Sequence, residues 1–282
     1  MSPSRAPLLI TVAPTGARRG KSDHEALPLT AADIARTAAR CRMAGAAMLH
    51  LHVRDESGAH SLAPDDYQVA LRDIVKVAGK ELLVQVTTES CGVYGVEQQM
   101  AAVRALKVEA ASFALREFFP GDAVAARVAE FFAWNIARGL ACQFILYAPA
   151  EIGRLQSLVA RGLIALPRPH ALFVLGRHAA DGQSDPADLD AFLALWPADW
   201  PWSVCAFGRA ELEVAGRAIR LGGHVRVGFE NNLQDVDGSA LASNEARVAQ
   251  VAALARAAGR PLASPQEARA LFRLPAAGSP PA

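Results

Sequence analysis

Along the chain, short apolar runs rich in β-formers alternate with longer stretches whose apolar residues recur at helical spacing. The runs are LLITVAP (8–14), AAMLHLHVR (46–54), LLVQVTT (82–88), EAASFAL (109–115), ACQFILY (141–147), ALFVLG (171–176), WSVCAFG (202–208) and HVRVGFE (224–230). Between them lie helix start and stop signals. Thr30 precedes AADIARTAARCRMAG, with Asp33 completing a capping box and Gly45 as the stop; Pro64 opens DDYQVALRDIVKVAG, which ends at Gly79. Similar units end at Gly139, Gly162 and Gly222, and a last one runs from Ser243 to Gly259. Eight strand-then-helix units predict a single-domain α/β fold, a (β/α)8 TIM barrel over about residues 8–260, with a C-terminal helix and a short flexible tail in 261–282. The tail is read from PAAGSPPA. An open doubly wound sheet competes, but no G-x-G-x-x-G follows the first run.

Strand side chains alternate between faces, so parity sorts each run into an outward and an inward set. Leu49, Leu51 and Val53 share one face and His50, His52 and Arg54 the other; Val225, Val227 and Phe229 oppose His224, Arg226, Gly228 and Glu230. Gln85, Thr87 and Glu89 fall together, as do Ser112 and Arg116 just beyond it. Polar groups thus gather inside, near the C-terminal strand ends where barrel enzymes place their chemistry.

Composition narrows the classes. With 282 residues, 52% hydrophobic and 20% charged, the chain can bury a large core and is not a disordered one. A net charge of +1, with basic residues scattered rather than clustered, argues against nucleic acid. Cys41, Cys91, Cys142 and Cys205 form no C-x-x-C pair and read as reduced thiols of a cytoplasmic protein. No run approaches the roughly 18 apolar residues of a membrane helix.

His50 and His52 suit imidazole binding to zinc, and a carboxylate such as Glu230 would complete three ligands with one position open; the alternative is a hydrogen-bonded core pair. Asp55 is either an acceptor behind a ligand histidine or a turn cap. An inward Arg226 demands an anion, from Glu230 or from a substrate carboxylate. Thr87, Thr88, Ser90 and Ser112 offer hydroxyls to a carboxylate or to local backbone. Glu89 and Glu117 stand at strand ends as candidate acids or bases, or as solvated loop residues.

In order and spacing, TVAPTGA, HLHVRD, VQVTT, FVLG, GGHVRVGFENN and GRPLASPQEAR closely resemble the β-keto acid cleavage enzymes, the family of 3-keto-5-aminohexanoate cleavage enzyme. The resemblance implies zinc-dependent condensation of a β-keto acid with acetyl-CoA to give acetoacetate and a new acyl-CoA, in a homo-oligomer, a tetramer. It implies His50, His52 and Glu230 as zinc ligands, Thr87 with its neighbour Thr88 and Ser112 as carboxylate holders, and Arg226 as the active-site arginine. The sequence departs from the family at three places. Arg18 and Gln143 stand near the positions of two glutamates that bind a substrate ammonium, so the 5-amino substrate is not expected; a neutral or anionic side chain, as in a keto diacid, is favoured if Arg18 faces the site rather than solvent. Asn231 replaces the family's aspartate base, and an amide cannot take that proton; Glu89 or Glu117 would then serve, with Asn231 orienting the substrate.

Two other readings stay open. A zinc hydrolase on the same barrel would need further metal-binding histidines, whereas His24, His60, His170 and His178 read as loop or helix-edge residues and only His224 as a strand residue. A non-catalytic binder of keto acid or CoA is the other.

Overall fold

The computed structural model describes residues 6–273, which leaves most of the expected tail outside the described residues. In chain order the strands are β1 (Ile10–Val12), β2 (Met48–Leu51), β3 (Val53–Arg54), β4 (His60–Ser61), β5 (Leu83–Val86), β6 (Ala110–Ala114), β7 (Ala141–Leu146), β8 (His170–Leu175), β9 (Trp202–Ala206) and β10 (His224–Val227). Eight of them close into a barrel in the order β1-β10-β9-β8-β7-β6-β5-β2, while β3 and β4 form a separate antiparallel pair. Closure falls on β1, where Thr11 lies opposite Met48 of β2 and Arg226 of β10, both in parallel register. The chain is a (β/α)8 barrel.

The helices start and stop where their caps require. Thr30 Oγ1 accepts the Asp33 N–H at the head of Ala31–Ala44, and Pro64 opens Pro64–Ala78. Ile34, Ala35, Ala38 and Cys41 form one buried face of the first helix and join the outward residues Ile10, Val12, Leu49 and Leu51 in a single apolar cluster. Burying one such large side chain contributes about 1.5–3 kcal/mol, which makes the helix–barrel seam the main source of stability.

Parity holds, but the strands are shorter than the runs. His52, Thr87, Thr88 and Glu230 all lie just past strand ends, and Arg116 turns away to pair with Glu151 at 3.0 Å from a short helix, Leu115–Phe118. Two histidine placements differ from expectation: His170 opens β8 and His60 opens β4. Ring polarity hides a strand residue that finds one partner inside: His170 Nε2 is 2.8 Å from Ser203 Oγ, while Nδ1 is buried without a partner among the described residues.

The N-terminal end of the barrel is closed by a helix, Pro265–Leu271, capped by a Ser264–Glu267 box. Its Ala268 meets Leu9, Ala47, Met48, Leu83, Ala110 and Ala141 in a second apolar cluster. Buried Arg269 locks it by pairing with Glu109 at 2.6 and 2.8 Å. The GRPLASPQEAR segment thus builds the floor of the barrel, and the chemistry is left to the other end.

Candidate active site

His50, near the end of β2, and His52, just past it, turn their Nε2 atoms to within 3.2 Å of each other. Glu230 brings Oε2 to 3.6 Å from the first and 3.4 Å from the second. Ligands bound to a tetrahedral zinc at about 2.0–2.2 Å stand about 3.3–3.5 Å apart. The triangle therefore has the size of one face of such a site. Glu230 Oε2 is buried with no hydrogen-bond partner among the described residues, a need that a cation meets. No other group of three His, Cys, Asp or Glu side chains converges in this way among the described residues.

Glu230 arrives by a turn rather than by strand parity. β10 ends at Val227, and Gly228 at φ +133° swings the chain so closely past β1 that a Cβ would lie 2.6 Å from the Ala13 carbonyl oxygen. Gly16, at φ +67°, gives the arriving carboxylate its room: a Cβ there would meet Glu230 Cγ at 2.7 Å.

The electrostatics suit a metal. Burial lowers His50 to about 3, which keeps its imidazole neutral and its lone pair available. Burial alone would raise the Glu230 carboxyl, but the Arg226 guanidinium at 3.0 Å and the two imidazoles hold it well below the usual carboxylate range.

The triangle opens into a small cavity whose wall includes Thr87, Thr88, Glu89, Ser112 and Arg226. Their bonding capacity differs. Thr88 Oγ1 donates to the Ser112 carbonyl and is spent. Thr87 Oγ1 accepts the Glu89 N–H and keeps its own hydrogen to give. Ser112 Oγ and Arg226 Nε are buried without partners among the described residues. A carboxylate entering here meets three donors.

The two candidate bases separate cleanly. Glu89 faces the cavity, with Oε2 4.0 Å from His52 Nε2 and Oε1 3.6 and 3.7 Å from Arg18 and Arg177. Glu117 sits behind the wall and accepts from the Ser90 backbone, the Ser90 hydroxyl and Gln99 at 3.2, 2.9 and 2.6 Å. It holds the loop after β5 in place instead of facing the cavity.

Arg18 lines an outer pocket of about 650 Å³ that shares Glu89, Arg177, Phe207 and Glu230 with the inner one. Gln143 is not brought to either wall. It lies lower in the barrel, where its amide oxygen accepts from Gln85 at 3.0 Å, because it is the third residue of β7 and Ile145, two positions on, takes the place at the wall. Asn231 is wholly buried off the wall, with neither amide atom partnered among the described residues. Asp55 caps its own turn by accepting from Ser57 and Ala59, and Gln85, not Asp55, contacts the candidate ligand His50, at 2.8 Å. Sequence reasoning missed Arg177 and Tyr147, both on the inner wall. The signal was there: Tyr147 follows directly on the C-terminal end of β7, and Arg177 lies two residues past the end of β8.

The sequence matches the family described as beta-keto acid cleavage enzyme over residues 7–274. It is 31% identical to "3-keto-5-aminohexanoate cleavage enzyme" of Acetoanaerobium sticklandii, over 94% of this chain and 97% of that protein. It is 32% identical to "3-oxoadipate:acetyl-CoA acetyltransferase" of Cupriavidus necator, over 95% of each. Among solved structures, apo ObcA superposes with a TM-score of 0.67 at 18% identity, over 88% of this chain, which spans 65% of the ObcA chain; that likeness concerns the fold alone.

Proposed function

Because the chain belongs to the beta-keto acid cleavage enzyme family, a family of carbon–carbon-cleaving acyltransferases, we propose that it condenses a β-keto acid with acetyl-CoA in a zinc-dependent reaction. The observation that carries this reading is the His50, His52, Glu230 triangle of 3.2–3.6 Å opening onto three unspent donors. Bound there, zinc would supply a Lewis acid that polarises the substrate's C3 carbonyl.

The side chains supply the rest. Ser112, Thr87 and Arg226 hold the carboxylate and fix C2 toward Glu89. Glu89 takes the C2 proton, a task Asn231 cannot perform. Arg18 and Arg177 stand 3.6 and 3.7 Å from Glu89 Oε1. C2 then bonds to the acetyl carbon as the acetyl C–S bond breaks and CoA leaves as its thiolate. The thiolate adds to C3 and the C2–C3 bond breaks. C2, now part of acetoacetate, takes the proton back from Glu89, while the remaining acyl group stays on the CoA sulfur. No water is consumed and no enzyme nucleophile is acylated. The two arginines at the mouth oppose an ammonium-bearing side chain and favour a neutral or carboxylate-bearing one, as in a keto diacid. By the family reading the assembly is a tetramer.

A panel of β-keto acids with acetyl-CoA, followed as acetoacetate, tests the proposal together with metal analysis of the same sample. The expected result is zinc in the protein and acetoacetate formed only when acetyl-CoA is present. Hydrolysis products without acetyl-CoA would instead favour a hydrolase, and binding without turnover a non-catalytic binder.

A further inference from the structure

Inside the barrel, alternate strands β1, β5, β7 and β9 contribute Thr11, Gln85, Gln143 and Ser203, four buried polar side chains where barrel interiors are ordinarily filled by branched apolar ones. Three of them form a chain. His50 Nδ1 lies 2.8 Å from Gln85 Oε1, Gln85 Nε2 donates to Gln143 Oε1 at 3.0 Å, and Gln143 Nε2 donates to Ser203 Oγ at 3.5 Å. Ser203 Oγ is in turn 2.8 Å from His170 Nε2.

Direction matters in such a chain. An amide oxygen only accepts, so a Gln85 oxygen facing His50 places the ring hydrogen on Nδ1 and leaves the Nε2 lone pair pointing at His52 and Glu230. Turned over, the same amide would present N–H to Nδ1, move the ring hydrogen to Nε2 and block it as a ligand. Gln85 cannot turn alone, because its oxygen would then face the Gln143 oxygen; the chain reverses only if Gln143 and the Ser203 hydroxyl, which can donate as well as accept, turn with it. We propose that Gln85 and Gln143 are positioning residues that hold His50 in its metal-binding tautomer. The proposal rests on the zinc reading above, and it gives Gln143 a role away from the substrate.

Zinc affinity of the metal-free protein, titrated against a chromogenic chelator, is the test. Outer groups that orient a ligand histidine are worth about 10–100-fold in metal affinity. Gln85→Met is expected near the upper figure and Gln143→Met near the lower one. Gln143→Glu keeps an acceptor for Gln85 and is expected to bind zinc as the parent does; a merely structural role would make this buried carboxylate the more damaging change. The parent protein supplies an independent readout if a variant does not fold. Ring-nitrogen NMR of ¹⁵N-histidine-labelled, zinc-free protein is expected to show His50 protonated at Nδ1. Protonation at Nε2, or a Gln143→Met variant that binds zinc as tightly as the parent, overturns the inference while leaving the zinc reading intact. A parent protein that binds no zinc overturns that reading and the inference with it.

Discussion

At the N-terminal end of the barrel, Arg269 donates to both Glu109 carboxylate oxygens and to the Glu81 and Pro265 carbonyls. At the other end, Arg226 pairs with Glu230 but keeps Nε unpartnered among the described residues, beside an equally idle Ser112 hydroxyl. Both arginines are buried to within 3% of full coverage, so burial does not tell a structural cation from a functional one. What differs is spare bonding capacity. A buried polar group left unpaired costs about 1–3 kcal/mol, and Arg269 avoids that cost while Arg226 and Ser112 carry it. That contrast marks the mouth as built for a ligand.

The contrast can be broken at either end, and the largest effect is expected at the mouth. His50→Ala should lose zinc and lower kcat/KM by more than the roughly 100-fold limit for groups that only orient a ligand; metal analysis and acetoacetate formation check both. Glu89→Gln should keep zinc and lower kcat by about 10²–10⁴-fold, the range of a lost general base. Glu117→Gln should leave kcat in place, and the reverse pattern would exchange the two roles. At the floor, Arg269→Ala should cost about 1.5–3 kcal/mol in denaturant unfolding, as for hydrogen bonds to charged groups, with kcat/KM unchanged.

The smallest effect concerns pH. Burial raises the Glu117 carboxyl despite the bonds from Ser90 and Gln99. A raised native value means that the folded state holds the proton where the unfolded state has released it, so this contribution is present at acidic pH and fades as pH rises through the native value. The difference in melting temperature between the parent and Glu117→Gln should therefore be larger near pH 5 than at pH 8. A flat difference would show that the site stays ionised in the folded protein.

Much of the fold was legible because it is local. Alternation within HLHVR and HVRV sets His50 and Arg226 inward, and cap residues such as Thr30 and Pro64 mark helix starts within a few residues of sequence. The site was legible only where strand parity reached. Parity set Glu230 on the inner face and made it a candidate third ligand, but did not show how it arrives, since Gly228 at φ +133° turns the chain past the end of β10. Choosing between Glu89 and Glu117 needed Gln99 and Ser90, whose folding against Glu117 no spacing rule announces. Gln143 looked like a substrate-side residue because the resemblance sets it near a family glutamate position, and no spacing rule says how deep in the barrel it sits. The floor was least visible of all, since Arg269 and Glu109 are 160 residues apart.

That separation has a consequence for how the chain comes into being. The seam between β1 and β10 joins residues more than 200 positions apart, as Ile10 lies opposite Val225, and the plug that seals the floor comes later still. At synthesis rates of about 5–20 residues per second, β1 waits on the order of ten seconds or more for β10. During that interval β1 presents an open edge of the kind that invites pairing with other chains. The helix of β1's own unit, Ala31–Ala44, is made early and is already equipped with caps at both ends. It gives the newborn β1–β2 pair an apolar cover long before the ring can close, and shields the nascent chain on the ribosome.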